Sequence, residues 1–431
     1  MRLPATLRAL HHRNYRLFFG GQMVSLIGTW MQSVAQSWLV YRLTGSSVEL
    51  GAVGFCSQIP VLLLATVGGT VADRYRKHPI IVATQSISMA LAFVLAALTF
   101  TGTVRIWHVF VMASLLGTVN AFDIPARQSF VVEMVGKTDL MNAIALNAAI
   151  MNVSRVLGPA IAGVTVALIG ESWCFLLNGV SFLAVIAGLL CMQLPPRSAG
   201  PARTGPHPPL NEGFLFIRSH PAVLATLALL GTLSFCGMPY SVMMPIFADG
   251  ILHGGPRTLG TLMGASGLGA VAGTLMLASR QRVHGLVRWM AWACAGAGVA
   301  LVAFSASRIY WLSFVLLIPV GGSMMVAMAS TNTLVQSMVP DNLRGRVMAV
   351  HTMMFLGMAP FGQLLAGAVA SRIGAPLTIA AGGVLCLAAA SVFWMRLERI
   401  HTEVDRLIAV QHPAEVQLAV EQTVPAEAGL D

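Results

Sequence analysis

Three ionisable residues lie inside otherwise apolar stretches of the sequence, where a charge is costly and suggests a function. They are Asp123, Arg127 and Arg155. Asp123 and Arg127 are four residues apart, so a helix would place them on one face. Burial beside these cations would set the pKa of Asp123, which makes Asp123 the leading candidate for binding a coupled proton. A static charge network that also includes the loop around Asp73 is the alternative.

A charged loop follows the second apolar stretch. Its sequence is Gly69-Thr-Val-Ala-Asp73-Arg74-Tyr75-Arg76-Lys77-His78. A carboxylate at a helix end can cap a neighbouring helix or pair with an arginine. We therefore expect Gly69, Asp73, Arg74, Arg76 and Lys77 to form a gating loop that holds the inner side of the molecule shut.

Two glycines and a proline follow Arg155 in the fifth apolar stretch. They are Gly158, Pro159 and Gly163. Proline within a helix frees a backbone carbonyl and bends the helix, and glycine lets a partner helix approach closely. The pattern predicts a bent and closely packed helix.

Amide and imidazole side chains within the apolar stretches could line an internal cavity. The candidates are Gln32, Gln36, Asn152, Asn332, Gln336 and His351. Methionine and tryptophan lie among them, and flexible methionines suit bulky, varied, amphiphilic ligands. Packing between helices is the alternative for each of these residues.

Membrane helices are the elements that must position these groups. The 431 residues are 56% hydrophobic and only 10% charged, whereas soluble domains carry about 25% charged residues. Twelve apolar segments can be counted, and about 20 residues suffice for a helix to cross a hydrocarbon core of roughly 30 Å. Because lipid cannot satisfy backbone polar groups, the predicted class is an all-α integral membrane protein.

The two halves of the sequence repeat each other at an offset of 204 positions. Gly117 falls on Gly321, and Gly163 falls on Gly367. A duplicated set of membrane helices is typical of transporters whose halves rock about a site between them. We predict twelve transmembrane helices in two pseudo-symmetric six-helix halves. The charged loop recurs in the second half without its acid, as Gly273, Thr274, Ser279, Arg280 and Arg282.

Four regions follow from these patterns. Residues 1–193 and 221–397 are predicted to form the two six-helix bundles. Residues 194–220 are predicted to form a cytoplasmic linker that is rich in proline and ends in a short amphipathic surface helix. Residues 398–431 are polar and are expected to be a loosely ordered cytoplasmic tail.

The net charge of +10 is best interpreted from where the basic residues lie in the sequence. Of the 26 Lys and Arg residues, Arg155 falls within a span, and the remainder mostly fall on the side of the chain termini. The exceptions on the other side are Arg42, Arg105, Arg257, Arg308 and Arg372. This positive-inside bias predicts cytoplasmic N- and C-termini, so the basic charge does not indicate nucleic acid as a partner.

Catalytic and cofactor motifs are not evident in the sequence. The six cysteines and eleven histidines are dispersed, without a nucleophile–base pair or the spacing of metal ligands. No phosphate-binding loop of the ATPase type is present. We expect no enzyme activity, no catalytic residues, no metal and no cofactor.

The charged loop and the fifth-segment motif resemble signatures of the major facilitator superfamily. The loop is similar to G-x-x-x-D-R-x-G-R-[KR], with Arg76 where the family often has glycine, and Gly158-Pro159 with Gly163 resembles an antiporter signature of its exporters. Asp123-Ile-Pro125 adds a resemblance to the enterobactin-exporter-like and multidrug-efflux branch. The resemblance covers about residues 10–397.

This resemblance implies a multi-pass, monomeric protein of a bacterial inner membrane that works by alternating access and uses the proton gradient. We predict a secondary transporter that exports a small amphiphilic compound, drug-like or siderophore-like, by proton antiport. Its expected partners are that substrate, protons and membrane lipids. A nutrient importer or uniporter is one alternative, and a non-transporting membrane sensor or assembly factor is another.

Overall fold

The computed structural model describes residues 5–193, 211–279 and 285–411, and within these ranges it is helical without strands. The long helices of the first half are α1 (Arg13–Thr44), α2 (Ser47–Arg74), α3 (Lys77–Phe100), α4 (Ile106–Val135), α5 (Leu140–Ile169) and α6 (Glu171–Leu190). After the short α7 (Asn211–Ser219) come α8 (Pro221–Ile251), α9 (Gly255–Ala278), α10 (Leu286–Ala306), α11 (Tyr310–Met338), α12 (Asp341–Ile373) and α13 (Ala375–Met395). A final helix, α14 (Leu397–Gln411), follows.

Eleven of these helices, α2–α6 and α8–α13, are long and apolar enough to cross a membrane. The first helix, α1, has 32 residues, which at about 1.5 Å per residue also exceeds the thickness of a bilayer core. Buried polar residues such as Gln22, Ser25 and Gln32 make α1 less apolar. The prediction of an all-α fold with twelve transmembrane helices is confirmed.

The packing of the helices follows the sequence repeat. In the first half α2 packs against α4 and α3 against α6; in the second half α9 packs against α11 and α10 against α13. Across the halves, α5 packs against α9, and its counterpart α12 packs against α2. Gly163 lies against Gly260 of α9, while its repeat partner Gly367 lies against Gly51 of α2. The two halves therefore contact each other through equivalent pairs of helices.

Buried apolar residues form three clusters, which show where the halves are joined. We call the end of the bundle where α1 begins and α13 ends the terminal end, and the opposite end the far end. One cluster contains residues of both halves, including Leu39, Leu50, Phe247 and Leu259, all toward the far end. At the terminal end the described residues form one cluster within each half. The halves are thus joined at the far end and separate at the terminal end.

Two short helices lie at the terminal end of the second half. In α7, Ile217 is buried in the core of that half. In α14, Leu397, Ile400 and Val404 are buried in the same core, and Glu403 accepts a hydrogen bond of 3.0 Å from the backbone N–H of Ala222 at the start of α8. The expectation of a loosely ordered tail was wrong up to Gln411, because the apolar residues recur at helical spacing. Residues 194–210, 280–284 and 412–431, with most of the predicted linker and both arginines of the second-half loop, lie outside the described residues.

Candidate functional site

A cavity of about 450 Å³ lies between the two halves. Ten of the long helices contribute side chains to its wall: α1–α6, α8, α9, α11 and α12. The halves enclose it at the far end, where they share a core, and leave it open toward the terminal end. Its volume is in the range of sites that hold drug-sized ligands.

The wall of the cavity combines amides, hydroxyls and methionines. Gln32 and Gln36 line the cavity, in agreement with the sequence prediction. The methionines that line it are Met238, Met244, Met263, Met324, Met325 and Met328. Such a wall offers hydrogen bonds together with a deformable apolar surface, which suits amphiphilic molecules of varied shape.

Four other predicted lining residues are not part of this wall. The side chains of Asn332 and Gln336 hydrogen-bond to each other, one turn apart on α11. His351 is buried, and its neighbours Val347 and Val350 belong to the core of the second half. Asn152 is half-buried on α5 but does not face the cavity. The helices are apolar on nearly all sides, so the sequence does not show which face points inward.

Asp123 is the centre of a buried charge network. Its side chain is 3% exposed, and its Oδ2 lies 3.1 Å from Nη2 of Arg127, one helical turn along α4. On α3, Thr84 donates a hydrogen bond of 2.8 Å and Gln85 one of 3.0 Å to the other carboxylate oxygen, Oδ1. The carboxylate therefore pairs with one cation and accepts hydrogen bonds from two neutral donors.

The network extends to α1 through Gln22. Arg127 Nη1 donates a hydrogen bond of 2.9 Å to Gln22 Oε1. Gln22 Nε2 and Gln85 Oε1 are both buried without a hydrogen-bond partner among the described residues. A spare donor and a spare acceptor thus lie beside the Asp123–Arg127 ion pair. Sequence reasoning did not identify Thr84 or Gln85, since nothing in the sequence places α3 beside Asp123.

Arg155 does not join this network, contrary to the sequence-based grouping with Asp123 and Arg127. Its guanidinium carbon lies 5.4 Å from the ring centre of Trp30 on α1. Among the described residues it makes neither a salt bridge nor a hydrogen bond, and its Nε is buried without a partner. Arg155 lines the same cavity as Asp123, so the cavity wall contains one paired cation and one cation without a counter-ion.

The charged loop after α2 lies at the terminal end, where the halves are separate. Lys77 donates a hydrogen bond of 2.6 Å to Glu133 at the end of α4. Asp73, Arg74 and Arg76 are exposed, and Asp73 makes no hydrogen bond or ion pair with any described residue. Within the described part of the chain, Asp73 thus lacks the pairing that the sequence predicts for a gating loop, and the loop does not reach Asp123.

The glycines of this loop region differ in their surroundings. Gly69 has no other atom within 4 Å of where a Cβ would stand. Its neighbour Gly68 lies directly against the backbone carbonyl of Ala121 on α4. The close helix contact in this region therefore depends on Gly68, which sequence reasoning did not single out.

Gly158, Pro159 and Gly163 lie where α5 meets other helices. Gly158 packs against Trp30 of α1. The carbonyl of Pro159 and the backbone of Gly163 pack against Gly260 of α9, in the other half. The motif thus forms part of the contact between the halves, and α5 remains one continuous helix through Pro159.

Polar contacts also join the halves at the far end. The hydroxyl of Tyr41 on α1 donates to Asp249 at the end of α8, at 3.3 Å. Ser47 Oγ donates to the backbone carbonyl of Gly367 on α12, at 3.0 Å. These contacts connect the two halves where α5–α9 and α2–α12 also meet, so the far end is closed.

We expect Gly260→Ala to widen the far end without unfolding the protein. A methyl group at Gly260 would come closer than 3.0 Å to the carbonyl oxygen of Pro159 and to the Cα of Gly163. Because Gly260 lies at a contact between the two halves, this steric clash can be relieved by a movement of the halves away from each other. This movement can be measured with spin labels that replace the exposed Trp107 and Trp311, at the far ends of α4 and α11. The distance between the labels should increase by about 1–2 Å, the size of helix shift seen at packed interfaces.

Gly264→Ala on the same helix is the control for this measurement. A methyl group there would lie 3.6 Å from the carbonyl oxygen of Val156, which is an ordinary contact, so the label distance should stay at the wild-type value. The native cysteines would first be replaced by serine. Equal distances in both alanine variants would contradict a tight α5–α9 contact.

Sequence comparison relates the chain to one family. The profile of a family described as transmembrane secretion effector matches residues 5–427. The staphyloferrin A transporter of Staphylococcus aureus is 26% identical over 88% of this chain and 95% of its own length. The multidrug efflux pump Tap of Mycolicibacterium fortuitum is 27% identical over 86% and 93%. The enterobactin exporter EntS of Citrobacter koseri is 24% identical over 85% and 86%.

Structural comparison finds the same fold in solved transporters. A POT family transporter in complex with a thioalcohol-conjugated peptide matches with a TM-score of 0.70 and 10% identity, over 90% of this chain and 96% of its own. A bacterial homologue of the human lysosomal transporter Spinster, solved in an inward-facing and unoccupied conformation, matches with a TM-score of 0.64 and 14% identity, over 93% and 98%. At these identities the likeness concerns the fold alone.

Proposed function

Because the chain belongs to the transmembrane secretion effector family of the major facilitator superfamily, we propose that it exports small amphiphilic compounds by proton antiport. The family and the relatives make it a membrane transporter rather than an enzyme. What we propose is the direction of transport, its coupling to protons and the class of substrate. The relatives support the direction, since their names describe exporters of a siderophore and of drugs.

One observation carries the coupling: Asp123 is the only carboxylate among the described residues that line the central cavity. It lies within 3.1 Å of Arg127 and shares the cavity with the groups that would contact a substrate. Binding of a proton to Asp123 would release Arg127 and, through it, Gln22 on α1. A proton and a substrate can therefore affect the same helices although they bind to different side chains.

In the proposed cycle, the terminal end faces the cytoplasm, as the positive-inside bias predicts for a bacterial inner membrane. A monomer open at this end takes up its substrate from the cytoplasm or the inner leaflet. The halves then rock, so that the Asp73 loop closes the terminal end and the contacts around Gly260, Tyr41 and Gly367 open. A proton that enters from outside neutralises Asp123, and the return to the terminal-open state releases it. The substrate favours the state that binds the substrate more tightly, and the proton favours the state that binds the proton more tightly.

The test is to measure proton movement in proteoliposomes with a pH-sensitive dye inside. An acid lumen would be imposed, and amphiphilic drugs and siderophore-like compounds would be added in turn. Antiport predicts that a transported compound raises the luminal pH while it accumulates inside. Entry of the compound together with protons would indicate symport by an importer. Equilibration of the compound across the membrane, without accumulation and without proton movement, would indicate uniport. Either result would reject the proposal.

A further inference from the structure

Arg155 is a half-buried cation, with its Nε fully buried, that the proposed cycle does not use. It lies near the middle of α5 and lines the central cavity. A guanidinium has five N–H donors and cannot lose its charge in a protein, and a charge at membrane depth is costly unless it is paired. No described residue accepts a hydrogen bond from it. The described residues therefore provide no acceptor for these donors.

The described residues offer no counter-ion to Arg155. Asp123 is the one carboxylate among the described lining residues, and its oxygens already accept bonds from Arg127, Thr84 and Gln85. Trp30 covers one side of Arg155 with an aromatic face at 5.4 Å. Such a face stabilises a cation without neutralising it. None of the described residues supplies an anion to Arg155, which leaves its charge available to a bound ligand.

The surroundings favour an anion that carries an apolar body. In the other half, Tyr240 and Ser266 form a hydroxyl pair 2.5 Å apart that lines the same cavity as Arg155. Met324, Met325 and Met328 continue the wall as a deformable apolar surface. Arginine binds carboxylate-like groups through two parallel bonds, and the methionines can accommodate apolar groups of varied shape.

We propose that Arg155 anchors an anionic group of the exported amphiphile, a carboxylate, sulfonate or phosphate, while Trp30 and the cavity methionines hold its apolar part. This inference names the substrate class of the proposed exporter and rests on that function. The site also lies at the contact between halves, because a Cβ on Gly267 of α9 would stand 2.8 Å from the backbone carbonyl of Arg155. An anion held by Arg155 and the Tyr240–Ser266 pair would bridge both halves.

The test compares two fluorescent amphiphiles with the same ring system, anilinonaphthalene sulfonate and its neutral analogue phenylnaphthylamine. Their binding would be measured with the full-length protein in lipid nanodiscs. Arg155→Gln should weaken binding of the sulfonate by about ten- to hundredfold, the range for losing a charge-assisted pair. Binding of the neutral analogue should stay unchanged, which also reports that the variant is folded. Arg155→Lys keeps the charge but loses the paired bonds, so it should lose less sulfonate affinity than Arg155→Gln.

Arg372→Gln is the matched control, because it removes an exposed arginine at the far end of α12. It should leave the binding of both compounds unchanged. Full sulfonate affinity in Arg155→Gln, or no sulfonate binding to the wild type, would overturn the anion site. Displacement of the sulfonate probe by an equal concentration of inorganic sulfate would assign the site to free anions and overturn the amphiphile. Proton-coupled export of phenylnaphthylamine would persist in all three cases, so the proposed function would stand.

Discussion

Asp123→Asn is expected to reduce proton-driven accumulation of a transported compound to the level of protein-free vesicles. The variant keeps the size of the side chain and one acceptor oxygen, but its amide cannot bind or release a proton. Since Asp123 is the only carboxylate among the described residues of the cavity wall, no second acid is at hand to replace it. Accumulation would be measured in inverted membrane vesicles that are acidified by respiration.

Exchange of labelled for unlabelled compound separates coupling from folding. Exchange needs no proton movement, so Asp123→Asn should retain it. Removing one partner of a buried ion pair costs about 3–5 kcal/mol, and less here because the side chain of Arg127 is 26% exposed. The double variant Asp123→Asn/Arg127→Gln removes both charges and should regain any lost stability without regaining accumulation.

Asp341→Asn provides a matched control for the same assay. Asp341 is an acid at the start of α12 whose side chain is 86% exposed at the terminal end, and its neutralisation should leave accumulation at the wild-type level. Accumulation by Asp123→Asn at the wild-type rate would remove Asp123 from the coupling mechanism. The buried pair with Arg127 would then be a structural charge network.

Gly269→Ala is expected to cause the largest loss of stability among the small substitutions considered. A methyl group there would come closer than 3.0 Å to the carbonyl of Ile318 and to the backbone nitrogen of Gly322, both on α11. Backbone atoms cannot rotate away, and α9 and α11 pack closely within one half. Overpacking typically costs about 1–3 kcal/mol and occasionally more. Thermal unfolding in detergent should occur at a clearly lower temperature than for the wild type.

Gly264→Ala is again the control, because Gly264 lies five residues from Gly269 on α9 and has room for a methyl group. Alanine is favoured over glycine within a helix by about 0.8–1.0 kcal/mol, so this variant should unfold at or above the wild-type temperature. If Gly269→Ala were as stable as Gly264→Ala, the close approach of α9 and α11 would be incorrect. Together with Gly260→Ala, the series distinguishes contacts within a half from contacts between halves.

The glycines of α9 show how far sequence reasoning extends. Their spacing predicts close helix packing, and the structure agrees. The spacing cannot show that Gly260 and Gly267 face α5 of the other half while Gly269 and Gly273 face α11 of their own half. Substitution in these two sets has different expected consequences. A methyl group at the contact between the halves should change the conformation, and a methyl group at the contact within one half should reduce stability.

The sequence by itself determined the membrane class, the number of spans and the two-fold repeat. These depend on segment length, on apolar composition and on an offset that can be read directly. It also predicted the pairing of Asp123 with Arg127, because a spacing of four residues is a local property of a helix.

Only the tertiary structure decided which groups share the cavity. It separated Arg155 from the Asp123 network, brought Thr84 and Gln85 to the carboxylate, and excluded His351 from the wall. It also showed that the halves are joined at the far end. Membrane helices that are apolar on nearly every face carry no sequence signal for the direction of a given side chain. That direction follows from how the helices rotate and cross when they pack, which depends on residues far apart in the chain.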